Sequence, residues 1–168
     1  MARILIVGGG CRGRRLASSL LGEGHALRIT TRGEDGRPAI EELGAECWVG
    51  TPDRLATLRG SLDGVAIACW LLGTASGDPD ELAALYTTRL ELFLTQAIDT
   101  TVRGVVFEPG GPTVPPDARA AGSALARELT ARNRIPAAVL DGDSDDFDGW
   151  LAGARGAVDG LLAAAVRR

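Results

Sequence analysis

Six short apolar runs, each followed by a stretch with helical periodicity, constrain this chain of 168 residues more than any other feature. The runs are 2–8 (ARILIVG), 25–32 (HALRITTR), 45–50 (AECWVG), 63–73 (DGVAIACWLLG), 103–108 (RGVVFE) and 135–142 (IPAAVLDG). Continuous apolar runs bounded by glycine suit strands buried on both faces. Six strands alternating with helices require right-handed crossovers, and hence a parallel sheet with helices on both faces. The expected architecture is a single doubly wound α/β sheet in the strand order 3-2-1-4-5-6. The six units use the whole of 1–168, which leaves no residues for a separate second domain.

The intervening segments carry helix signals of their own. Leu16, Leu20 and Leu21 share one face of 12–24, which Gly22 and Gly24 close. Segment 37–44 predicts a short helix ending at Gly44, and 51–60 a helix capped by Thr51 with Pro52 first. The longest predicted helix, 77–101, has Asp78 as cap, Pro79 at its start, and Asp80 and Glu81 at the positive dipole end. Helices over 117–133 and 144–168 complete the set, the last with Ser144 or Asp145 as cap.

Composition narrows the function. The net charge is −4 and the pI about 5.0, which excludes a general nucleic-acid binder. All eighteen basic residues are arginine, so any mechanism needing a lysine is excluded. Three cysteines (Cys11, Cys47 and Cys69) without a C-x-x-C spacing, and one histidine (His25), argue against a metal site. The apolar run at 3–7 is too short for a signal segment or a membrane span, so a cytoplasmic setting is expected.

Between the first strand and first helix lies GGGCRGRR, residues 8–15. Gly8, Gly10 and Gly13 form G-x-G-x-x-G in the placement that phosphate binding needs. Gly8 suits a tight turn, Gly10 the approach of a pyrophosphate, and Gly13 close packing of helix on sheet. The helix start offers N–H groups and a positive dipole to phosphate. The second strand ends in Thr30, Thr31 and Arg32, where NAD sites usually carry an acid. An arginine there suits a 2′-phosphate, so NADP is favoured over NAD. Arg12 or Arg14 could add a phosphate contact.

Residues 4–32, together with VGTPDRL, LDGVAIACWLLG and RIPAAVL, resemble the NAD(P)-binding core of atypical extended short-chain dehydrogenase/reductases. The resemblance implies a Rossmann sheet, NADP in its cleft, and a cofactor-lining segment at Trp70, Leu71 and Gly73. It also exposes departures. Active members carry Ser or Thr after the fifth strand and Y-x-x-x-K on the next helix. Here the strand runs into EPGGPTVPP, and the helix DARAAGSALARELTARN has neither tyrosine nor lysine. The one tyrosine, Tyr86, sits among apolar residues of the earlier helix and is expected in the core.

Glu108 is the remaining catalytic candidate, at a strand end where open sheets bind ligands. It could serve as a base, clamp a small-molecule ligand, or cap the loop that follows; Trp70 is expected to project near the same cleft mouth. Cys11 beside Arg12 has the setting of a low-pKa thiol, but a small residue filling a tight loop explains it as well. Cys47 and Cys69 read as core. Asp141, Asp143 and Asp145 mimic a calcium loop, yet Asp146 and Ala152 stand where glycine and glutamate are required. Three functions follow: a nucleotide-binding protein lacking the Tyr/Lys pair, an NADP-dependent oxidoreductase with a non-standard site, or an interaction module whose helices 78–101 and 144–168 form a homodimer face.

Overall fold

A computed structural model describes residues 1–8, 10–141 and 145–166. One parallel sheet organises the molecule. Its strands are β1 (Arg3–Val7), β2 (Ala26–Thr31), β3 (Glu46–Val49), β4 (Ile67–Trp70), β5 (Gly104–Phe107) and β6 (Ala137–Val139). The spatial order is β3-β2-β1-β4-β5-β6, the doubly wound arrangement that the apolar runs predict. The helices are α1 (Cys11–Gly22), α2 (Arg37–Glu41), α3 (Pro79–Tyr86), α4 (Thr88–Ile98), α5 (Pro116–Arg132) and α6 (Phe147–Val166).

Strand alternation divides the core into two layers. Leu5, Val7, Ala68, Trp70, Val105 and Phe107 face α3, α4 and α5. Ile4, Ile6, Ile67, Cys69, Leu71 and Val106 face α1 and α6. Register carries this parity across the sheet, pairing Val7 with Trp70 and Trp70 with Phe107.

Three helix expectations need correction. Segment 51–60 is not an α-helix. It forms a Thr51–Arg54 bridge and short 3-10 turns at Leu55–Thr57 and Arg59–Leu62. The Thr57 hydroxyl donates to the Arg54 carbonyl at 2.6 Å and accepts from the Thr51 N–H at 2.9 Å. Such local side-chain bonds compete with the helical ladder. The long helix over 77–101 breaks at Thr87 (φ −123°, ψ −96°), whose hydroxyl donates to the Ala83 carbonyl. Asp78 does cap the first half, accepting from the N–H groups of Asp80 and Glu81. The last helix takes its cap from Asp146, which accepts from the Gly149 N–H at 2.9 Å; Asp145 does not fill that place. Ser144 and Asp143 lie outside the described residues.

One polar anchor escaped the sequence reading. Arg28, in the apolar run of β2, is 6% exposed. It donates to the carbonyls of Ser61 (2.6 Å) and Asp63 (3.1 Å) and pairs with Glu46 at 3.0 Å. It thereby pins the loop before β4 to the sheet.

Candidate functional site

The sheet changes direction between β1 and β4, and ligands of such sheets bind outside the strand ends at that point. A cleft of about 260 Å³ lies there. Gly8, Gly10, Arg12 and Gly13 form one wall, Thr30, Thr31 and Arg32 a second, and Leu71, Leu72 and Thr74 to Ser76 a third, with Glu108 at the base.

The three glycines of the loop are required for different reasons. Gly8 has φ +118°, and a Cβ there would lie 2.1 Å from the Leu71 carbonyl oxygen. Its N–H points at the Thr30 hydroxyl, 3.4 Å away. A Cβ on Gly13 would meet the Gly8 carbonyl at 2.1 Å, so α1 can start this close to the strand only with glycine. Gly10 meets nothing within 4 Å, which leaves the approach to the α1 N-terminus open. That terminus has neither a side-chain cap nor an acid in its first turn. Its first N–H groups and positive dipole end therefore face the cleft unopposed.

Cys11 begins α1 and is exposed, so it does not fill the loop. Its thiol accepts from Arg14 at 3.7 Å. Cys69 is buried, and burial pushes its thiol up to about 12; Cys47 is half-buried and shifted the same way for the same reason. Arg32 is exposed on the cleft, directly after the last residue of β2.

Glu108 is the centre of the site. It is 6% exposed and follows β5 directly. One carboxylate oxygen accepts from the Gly73 N–H at 2.8 Å, and the other from the Trp150 indole N–H at 2.8 Å. Arg12 lies 3.6 Å from that second oxygen and 5.4 Å over the Trp150 ring. Burial pushes the Glu108 carboxyl above the usual carboxylate range, against these donors, which favour the charged form. Gly73 is needed because a Cβ would stand 2.4 Å from the Glu108 carboxyl carbon.

Trp70, expected at the cleft mouth, is fully buried instead. It ends β4 on the same face as Leu5 and Phe107, and its ring packs on Phe93 at 4.8 Å. Leu71, of opposite parity, lines the cleft. Tyr86 is buried as expected, but its hydroxyl donates to the Leu72 carbonyl at 2.6 Å and so supports the third wall. Trp150 was not anticipated; its one sequence signal is an aromatic in the first turn of an alanine-rich helix.

At the opposite end of the sheet, Glu23, His25 and Asp159 place ligand atoms within 4.8 Å of one another. His25 Nδ1 accepts from the Ala2 N–H at 3.3 Å, and Glu23 pairs with Arg155. No described helix is long and apolar enough to cross a membrane.

Strand order and the glycine turn together define a Rossmann-like α/β fold. Solved structures share this fold. A short-chain dehydrogenase/reductase superfamily protein from Agrobacterium tumefaciens, with bound NAD, is 19% identical over 98% of this chain and 60% of its own, with a TM-score of 0.66. The structure of gox2253 is 21% identical over 83% of this chain and 50% of its own, with a TM-score of 0.68. UDP-glucose 4-epimerase from Thermotoga maritima, with UDP-glucose, is 16% identical over 82% and 54%, with a TM-score of 0.67. The likeness is one of fold, and the chain spans only 50–60% of the length of these structures. No family model and no curated protein sequence matches the chain.

Proposed function

We propose that the chain binds a dinucleotide in the cleft at the β1–β4 switch, with NADP(H) preferred to NAD(H). The carrying observation is the pairing of an open, uncapped α1 N-terminus at Gly10 with Arg32 on the same cleft. The pyrophosphate belongs on the N–H groups of the glycine turn, with Arg12 in reach, and the 2′-phosphate on Arg32 and the hydroxyl of Thr31. The nicotinamide belongs toward Leu71 and Glu108. NAD bound by the Agrobacterium neighbour supports a dinucleotide here.

With no tyrosine or lysine on α5, the chain lacks the phenol–ammonium pair of active short-chain reductases. It works as a nucleotide-responsive binding protein. A second reading, an NADPH-dependent oxidoreductase, is favoured by one observation: Glu108, buried and with a raised pKa, lines the cleft.

Titration of the chain with NADPH and NADH tests the site and its preference. NADPH is expected to bind in the micromolar range, and Arg32→Ala to weaken it about tenfold or more while leaving NADH unchanged. Failure of both nucleotides to bind refutes the site, and equal affinity for both refutes the preference. NADPH oxidation with any of a panel of carbonyl compounds would establish the second reading.

A further inference from the structure

A second cleft, of about 550 Å³, adjoins the first and shares Glu108 with it. It lies over the ends of β5 and β6, between Pro109–Pro112, Leu140 and Trp150; Arg119 of α5 stands in its wall, and Asp141 and Asp145 line it as well. Arg119 is half-buried; its Nε is fully buried and has no acceptor. Arg28, the other arginine with a buried Nε lacking a hydrogen bond, has the Glu46 carboxylate at 3.0 Å. Among the described residues Arg119 makes no ion pair and no hydrogen bond through its side chain.

The acids nearby are occupied. Glu108 is held by Gly73, Trp150 and Arg12. Asp141 pairs with Arg127 at 3.4 Å, and Asp145 also has a partner. A buried guanidinium N–H without an acceptor is rare because it forfeits its water without replacement. It is economical only where an acceptor arrives from outside. A guanidinium presents its donors as a planar fork, which matches the paired oxygens of a carboxylate or phosphate.

We propose that this second cleft binds a small molecule bearing a carboxylate or phosphate group, with Arg119 as its anchor. Glu108 separates the occupant from the dinucleotide cleft, so where the dinucleotide reading holds, the occupant is its neighbour across one side chain. Anion binding itself does not depend on that reading.

The test is a titration of nucleotide-free protein with pyruvate and, separately, inorganic phosphate. Binding is followed by ¹H–¹⁵N spectra of the Trp150 indole and the Gly110 and Gly111 amides. Saturable shifts at these groups are expected for one probe or both, and the stronger binder identifies the head group. Arg119→Met should weaken binding about tenfold or more, Arg119→Lys should weaken it less, and Arg132→Met, whose arginine lines neither cleft, should leave it unchanged. Thermal unfolding of each variant separates a lost ligand contact from a lost fold; should Arg119→Met unfold, Arg119→Lys against wild type decides. Shifts that do not saturate, or equal affinity in wild type and the Arg119 variants, overturn the proposal. Repeating the titration with NADPH separates the two sites: anion binding without nucleotide binding refutes the first cleft alone.

Discussion

Replacing Glu108 with glutamine tests how the centre of the site is held. The carboxylate accepts from two N–H donors, Gly73 and Trp150, each at 2.8 Å. Glutamine offers one accepting oxygen and one NH2 group, so one of these donors must face another donor. A buried donor left without an acceptor costs about 1–3 kcal/mol. Arg12 loses its counter-charge as well. Against this, the variant no longer buries an ionised group. The pH dependence follows from the raised pKa of Glu108, caused first by burial. In the folded state the carboxyl holds its proton more tightly than when unfolded. Its contribution to stability is therefore full below the ordinary carboxylate pKa and is lost as pH rises through the folded value. Glutamine has no such slope. Urea denaturation at pH 5 and pH 8 should show Glu108→Gln less stable at both, with a smaller deficit at pH 8. In thermal unfolding the deficit corresponds to about 2–4 °C per kcal/mol for a domain of this size. Unchanged stability would refute the picture of a buried carboxylate held by two N–H groups, and a deficit that widens with pH would refute the raised pKa that burial imposes.

Gly8→Ala and Gly10→Ala should part company. The first drives a methyl into the Leu71 carbonyl at positive φ and should cost more than about 3 kcal/mol, measured by denaturation. The second meets nothing and should cost under about 1 kcal/mol, yet weaken NADPH binding because its methyl occupies the open approach to α1. Tyr86→Phe removes the donor to the Leu72 carbonyl and should cost about 1 kcal/mol of stability, with NADPH affinity falling as the third wall loosens.

Strand order was legible because each buried parallel strand is a short apolar run, and such runs need no partner to be recognised. The roles of Gly8 and Gly13 in the turn were legible for a related reason: they are set by backbone within seven residues, apart from Leu71. Trp70 was misplaced because its strand was recognised while its parity was not; one residue of register separates the core position from the cleft position at Leu71. The helix at 51–60 failed where threonine hydroxyls captured the backbone. Glu108, Trp150 and Arg12 were beyond reach as a cluster. Their meeting depends on which helix covers which strand end, and nothing local to any of the three records it.

The carboxylate of Glu108 joins chain segments that are synthesised far apart: the first helix, the turn after β4 and the last helix. A nascent chain extended only through β5 has the glycine turn and the first wall of the cleft, but no Trp150 to seat the carboxylate. The base of the cleft is therefore completed only once α6 has been made. Loop-closure entropy makes such distant contacts late in refolding too. A ligand seated against Glu108 would consequently report assembly through α6, and a chain stopped before it would be silent.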